Sequence, residues 1–395
     1  MKLNFLAQMR EAAQQMFHKH GAVHRPAMRD INPPPSSSSP AGDAHPPRQS
    51  PQPQQPADSA PKAGSPVSPN PATHPAEFAQ DMLNRMGIKI DLQANLDRAI
   101  DLGSVLHPAP ARALPEGAQF VTGSYSNHAG TRNYKLYIPS SYHGQAVPLL
   151  VMLHGCTQNP DDFAAGTQMN QLAEEMGWLV VYPEQTAQAN HSKCWNWFSA
   201  IDQQRGQGEP SIIAGIARQV IEEYPVIERQ VYVAGLSAGG AMAVIAGTLY
   251  PELFAAVGVH SGLPFASAQD LPSALSAMKR GVNSAAKAGN GAQPIIVFHG
   301  DSDTTVNPRN GEQVMAQRLH HHRGVRPKVQ SGTVPNGYRY TQTTHTSAEG
   351  APVGEHWVVH GAGHAWSGGS TLGTYTDARG PDASREMLRF FRTVS

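Results

Sequence analysis

Gly235-Leu236-Ser237-Ala238-Gly239 is the stretch on which the reading of the whole chain turns. It follows the strand-like run Gln230-Val231-Tyr232-Val233-Ala234 and leads into a helix-like run from Gly240-Ala241-Met242. In that setting a G-x-S-x-G pattern marks a nucleophile on a sharp strand-to-helix turn. Such a turn holds the serine in a costly backbone conformation. Side chains two residues to either side would strike the neighbouring strands, so glycine stands at both places. The helix that follows aims its free N-terminal amides at the serine, where negative charge develops when an acyl carbonyl is attacked. Without those flanks the same five residues would read only as a strand-helix turn.

Outward from this turn, short apolar runs alternate with helix-like stretches. Leu149 to Leu153, Trp178 to Tyr182, Gln230 to Ala234, Ala255 to Val259, Pro294 to Phe298 and His356 to Val359 read as strands covered on both faces. Helices are expected at Phe163 to Met176, Ser211 to Glu223, Gly239 to Tyr250, Gly311 to Leu319 and Ala383 to Phe391. Ahead of them, Gln119 to Tyr125 and Arg132 to Ile138 read as two strands joined by a glycine-containing turn. This alternation predicts an α/β fold, a mostly parallel sheet with helices on both faces, over residues 118–395.

The first third of the chain has a different composition. Leu3, Leu6, Met9, Ala12, Ala13 and Met16 sit at helical spacing, which predicts a short amphipathic helix over residues 1–20. Residues 21–76 are dominated by Pro, Ser, Gln and Ala, including Pro33-Pro34-Pro35, and offer too little apolar surface to offset the entropy of ordering. A disordered linker is expected there, and short helices with further linker over 77–117.

Thirty basic side chains balance thirty acidic ones, so no electrostatic footprint for nucleic acid or an anionic membrane is present. The longest apolar runs, such as Pro148 to Leu153, are far short of the roughly 18 residues of a membrane span. The N-terminus lacks the apolar core of a secretory signal, so a standard signal peptide is not expected.

A serine hydroxyl needs a base to take its proton and a group to fix that base. The strand Ile295 to Phe298 leads into His299-Gly300-Asp301-Ser302-Asp303, and a carboxylate beyond a strand's carboxyl end is where an α/β hydrolase places its acid. Asp303 is the candidate, with Asp301 read as the residue that shapes the turn. The strand Trp357 to His360 leads to Gly361-Ala362-Gly363-His364, and His364 is the expected base. The order Ser237, Asp303, His364 is that of the α/β hydrolases. His320-His321-His322 reads as a solvated helix end. Two backbone donors should hold the oxyanion: the amide of Ala238, and that of Cys156 in the loop His154-Gly155-Cys156-Thr157-Gln158.

Those loop residues, with Cys194-Trp195-Asn196-Trp197-Phe198, Gly235 to Met242 and Gly363-His364-Ala365-Trp366, resemble the polyhydroxybutyrate depolymerase family of esterases, which also contains feruloyl and acetylxylan esterases. The resemblance covers residues 118 to 392. It implies an α/β-hydrolase fold, a Ser237/Asp303/His364 triad, ester or polyester substrates, and no metal or other cofactor. It also implies a Cys156–Cys194 disulfide beside the oxyanion loop, with Trp195, Trp197 and Trp366 as substrate contacts; two buried free thiols are the competing reading. Short polyester oligomers, aryl esters and acetyl esters are all compatible with it. A serine peptidase of the same fold, or a non-catalytic protein held on polyester granules by its N-terminal helices, are rival readings. The family points to an extracellular location, and the missing signal leaves a cytoplasmic one as the alternative.

Overall fold

Strands that are apolar at every position must be covered on both sides, and the architecture follows from that. The computed structural model describes residues 114–282, 293–320 and 322–394. The helix expected at 1–20, the linker at 21–76 and the segment from 77 to 113 lie outside them. The first strand begins at Gln119, and the described chain from there on fits the expected α/β reading.

The main sheet is built from β1 (Gln119–Asn127), β2 (Gly130–Ile138), β3 (Val147–Leu153), β4 (Leu179–Pro183), β5 (Val226–Leu236), β6 (Ala256–His260), β7 (Ile295–Gly300), β8 (Arg326–Thr333), β9 (Arg339–Thr346) and β10 (Pro352–Val359). Their order is β1-β2-β4-β3-β5-β6-β7-β10-β9-β8. The six strands from β4 to β10 in that order are parallel, and an antiparallel pair closes each edge. A small separate pair joins β11 (Trp366–Ser367) to β12 (Thr376–Asp377).

Alternation along the central strands fills two cores. In β3, Leu149, Val151 and Leu153 enter one, while Leu150 and Met152 enter the other. Each such side chain contributes roughly 1.5–3 kcal/mol by leaving water. The helices are α1 (Pro160–Thr167), α2 (Met169–Met176), α3 (Gly208–Glu223), α4 (Ala238–Leu249), α5 (Leu271–Arg280), α6 (Arg309–Leu319) and α7 (Ala383–Thr393). α1 and α2 replace the single helix expected at Phe163 to Met176. Gln168 between them is left-handed, at φ 56°, a conformation that cannot continue a right-handed helix. Asn159 caps α1 by accepting from the Asp162 amide, and Asp382 caps α7 through the Arg385 amide.

Among the elements not expected from the sequence are α5, β8, β9 and the short β11–β12 pair. Strand β8, Arg-Pro-Lys-Val-Gln-Ser-Gly-Thr, is exposed almost throughout and carries no apolar alternation. It is an edge strand held by its pairing with β9, and Pro327 is tolerated there for that reason.

Candidate active site

β5 ends at Leu236, and α4 begins at Ala238 with nothing between them but Ser237. Ser237 occupies φ 58°, ψ −118°, a region L-residues rarely adopt, and its side chain makes no capping bond to its own helix. Neighbouring strands hold this conformation in place: the Ser237 amide donates to the His260 carbonyl of β6 at 2.8 Å. A Cβ at Gly239 would overlap the carbonyl oxygens of Leu153 and His154, and one at Gly235 would overlap the Gly239 backbone and the Leu153 oxygen. The steric reason expected for both glycines is therefore met by the end of β3.

Asp303 and His364 come together from the ends of adjacent parallel strands, β7 and β10. His364 Nδ1 lies 2.7 Å from Asp303 Oδ2. The other carboxylate oxygen, Oδ1, accepts from the amides of Thr305 at 2.8 Å and Val306 at 2.9 Å. Burial works against the Asp303 charge, but the His364 and His299 rings beside it outweigh burial and hold the carboxyl well below the usual carboxylate range. Asp301 has a different set of partners. Its oxygens take the Gly361 amide at 2.7 Å and His360 Nδ1 at 2.9 Å.

The loop expected to carry the second oxyanion donor leaves β3 at His154. Burial lowers the pKa of the His154 imidazole to about 4, so it is neutral. Its Nδ1–H donates to the Gly155 carbonyl and its Nε2 accepts from the Gln185 amide. The Gly155 amide donates to Gln158 Oε1, the Thr157 amide to the Ser192 carbonyl and the Gln158 amide to the Gly155 carbonyl. Among the described residues no such bond engages the Cys156 amide between them. Ala238, as the first residue of α4, has no partner for its amide within the helix.

Cys156 and Cys194 are joined, with an S–S distance of 2.08 Å, and this sets aside the free-thiol reading. Across their separation of 38 residues the bond contributes up to about 4 kcal/mol on the chain-entropy model. Replacing both cysteines by serine is therefore expected to lower the thermal midpoint by roughly 10 °C, at about 2–4 °C per kcal/mol, as read by calorimetry.

Behind the bond lies a buried polar cluster. Gln185 accepts from Arg132 Nε and donates to the Cys194 carbonyl and to Glu209. Glu209 pairs with Arg132 at 3.1 Å and accepts from the Asn196 amide at 2.7 Å. Asp202, whose Oδ1 accepts from the Glu209 amide, has its pKa pushed up to about 7 by burial and by the neighbouring Glu209 charge. The folded state thus keeps a proton that the unfolded chain releases near pH 4, so stability falls as pH rises from about 4 to about 7 and levels off above. Asp202→Asn keeps the acceptor and removes this cost. Its thermal midpoint is expected to match wild type at pH 4 and to exceed it by several degrees at pH 8.

The tryptophans read as substrate contacts lie inside the protein. The Trp195 indole is fully buried and donates to the His154 carbonyl at 3.1 Å. Trp366 is buried between Phe163 and His260 and donates to Ser384 Oγ at 3.0 Å. Trp197 is buried edge-on against Phe198. All three pack the loops that frame the site, because the indole N–H groups of Trp195 and Trp366 find internal acceptors and each ring is worth more in the core than at the surface.

Two histidines not singled out in the sequence stand beside the acid and the serine turn. His299 Nε2 donates to the Val306 carbonyl at 2.9 Å and lies 3.4 Å from Asp303 Oδ2. His260 stacks on Phe298 and Trp366, accepts the Ser367 amide at Nε2, and is held neutral by burial, with a pKa near 3. Their sequence signal was slight: each is simply the last or next-to-last residue of a buried strand.

Residues 132–326 match the family model described as esterase PHB depolymerase. The chain is 32% identical over 253 residues to poly(3-hydroxyalkanoate) depolymerase C of Paucimonas lemoignei, a match covering 61% of this chain and 60% of that protein. It is 30% identical over 238 residues to acetylxylan esterase A of Aspergillus oryzae, covering 56% of this chain and 74% of the relative. Among solved structures, an acetyl xylan esterase from Aspergillus awamori superposes with a TM-score of 0.54 at 19% identity, over 70% of this chain and 99% of that one. That likeness establishes the α/β-hydrolase fold. The family-model match takes in the Ser237 turn, the turn that bears Asp303 and the Cys156 loop, and the chain belongs to the PHB depolymerase family of esterases.

Proposed function

We propose that this protein is a serine esterase that hydrolyses esters of short hydroxyalkanoic acids, as polymer or oligomer, through an acyl-enzyme. The observation that carries the reading is the Ser237 turn at the end of β5, with the hydrogen-bonded Asp303–His364 pair at the ends of β7 and β10. In this mechanism His364 takes the Ser237 proton as Oγ attacks the ester carbonyl. Asp303 keeps the proton of His364 on Nδ1, which leaves Nε2 free to act as the base, and stabilises the imidazolium that forms. The amides of Ala238 and Cys156 receive the oxyanion. His364 then protonates the departing alcohol and activates the water that releases the acid.

Polyester is preferred over other esters because the match to the Paucimonas lemoignei depolymerase covers more of this chain, at higher identity, than the match to the Aspergillus oryzae enzyme. Acetylated xylan is the second reading, supported by that relative, of which the chain spans 74%. The disulfide supports an oxidising compartment outside the cytoplasm. Parallel assays for hydroxybutyrate release from a 3-hydroxybutyrate trimer methyl ester, acetate release from acetylated xylan, and cleavage of a matching peptide amide separate the readings. Hydrolysis of the trimer ester alone is the expected result, and acetate release alone would move the assignment to xylan.

A further inference from the structure

An Asp–His–hydroxyl chain also exists outside the proposed triad. His360 Nδ1 lies 2.9 Å from Asp301 Oδ2, and His360 Nε2 lies 2.8 Å from Thr341 Oγ1. It is not a second catalytic centre. Thr341 sits within the paired strand β9, with no helix N-terminus behind it and no turn to present its hydroxyl. What the chain does is fix the His360 ring: the Asp301 carboxylate holds the proton on Nδ1 and sets the orientation of the imidazole.

The fixed ring borders a cleft of about 370 Å3 formed at the β8–β9 edge of the sheet, with Ser331, Thr333, Arg339 and Thr341 among its walls. Ser331 pairs with Thr341 and Thr333 with Arg339 across the two strands. Because side chains alternate, these four share one face, and His360, two residues beyond Val358 opposite Thr341, continues it. No carboxylate lines the cleft. The exposed Arg339 guanidinium makes no ion pair and no side-chain hydrogen bond among the described residues, while Asp301 spends its oxygens on His360 and Gly361. His360 and Thr341 spend their polar atoms on each other and on Asp301 and form a fixed wall, while the Arg339 guanidinium with the Ser331 and Thr333 hydroxyls matches a small, oxygen-rich carboxylate.

We propose that this cleft binds the terminal carboxylate of a hydroxyacid oligomer whose ester is cut at Ser237. The identity of the oligomer rests on the polyester reading above; the carboxylate rests on the cleft. His360 and His364 are four residues apart, so their Cα atoms lie at most about 14 Å from one another. A 3-hydroxybutyrate unit has four backbone atoms against a peptide's three and spans about 5 Å extended, so the farther ester carbonyl of a trimer lies about 10 Å from its terminal carboxylate, within that upper limit.

The test is calorimetric binding to the inactive Ser237→Ala protein. The trimer free acid is expected to bind about tenfold more tightly than its methyl ester. Adding Arg339→Gln should weaken the acid about tenfold and leave the methyl ester unchanged, and monomeric 3-hydroxybutyrate should bind more weakly than the trimer. Equal binding of acid and methyl ester, equal weakening of both by Arg339→Gln, or no binding of either overturns the proposal. Inorganic phosphate binding as tightly as the acid would make this a general anion site, and a monomer as tight as the trimer would make it a product site; either result removes the chain-end assignment. Cleavage of the trimer methyl ester by the wild-type protein tests the polyester reading separately, since that substrate lacks the carboxylate.

Discussion

Ser237→Ala is expected to lower kcat for p-nitrophenyl butyrate by about a million-fold with KM little changed, as when the nucleophile of a comparable triad is removed. The fold should not register the change. The Ser237 hydroxyl caps no helix, so alanine deletes no bond that holds the turn together, and the thermal midpoint should match wild type. What activity is left would come from the Ala238 and Cys156 amides proposed to hold the oxyanion, acting on bound ester. Steady-state kinetics on the purified variant check this. Turnover within tenfold of wild type would remove Ser237 from the mechanism.

Asp303→Asn is the second large effect, a loss in kcat of about 10⁴, and the geometry gives its reason. Oδ1 of Asp303 is held by two backbone amides, from Thr305 and Val306, which demand an acceptor. In the asparagine variant the carbonyl oxygen must stay with them, and the amide N–H2 turns toward His364. It then donates to Nδ1, forcing the proton onto Nε2, and a ring protonated at Nε2 cannot take a proton from Ser237. The same substitution changes the acid limb of stability. The depressed folded-state pKa of Asp303 contributes stability that is fully present above the unfolded value of about 3.9 and is lost as pH falls below it. Thermal midpoints from pH 6 down to pH 2 should therefore drop more steeply in wild type than in Asp303→Asn.

The parallel centre of the sheet was legible because each of its strands carries a short, largely apolar run, spaced from the next by helix-like stretches and glycine-bearing turns. The β8–β9 edge was not, because a strand that buries neither face has no reason to alternate, and only its partner defines it. Likewise α5, Leu271–Arg280, falls in a stretch with no strand-helix rhythm around it; its start is set by the Asp270–Ser273 capping box. At the site, motif spacing singled out Ser237, Asp303 and His364, since each lies in the turn or loop just beyond the end of a strand. The choice between Asp301 and Asp303 had rested on spacing alone, and the hydrogen bonds give the two carboxylates different histidines. The tryptophans misled because a motif records that a residue is needed, not which way its ring faces. Gln185, Glu209 and Arg132 left no trace, since a buried polar cluster assembles side chains from distant segments.

The carbonyl of Leu153 meets both Gly235 and Gly239, and the chain leaving it becomes the Cys156 loop. The serine and the loop opposite are thus gauged from one shared backbone contact, as two jaws are set by one pin. The outer segment around 262–282 takes no part in that gauge, whereas 184–209 holds the same loop through the Cys194 disulfide, the Ser192 carbonyl and the Trp195 indole. Residues 262–282 can therefore be exchanged while the spacing between Ser237 and the Cys156 loop stays as it is. A side chain at position 239, by contrast, would shift both jaws at once, and no redesign of the outer loops could bring them back.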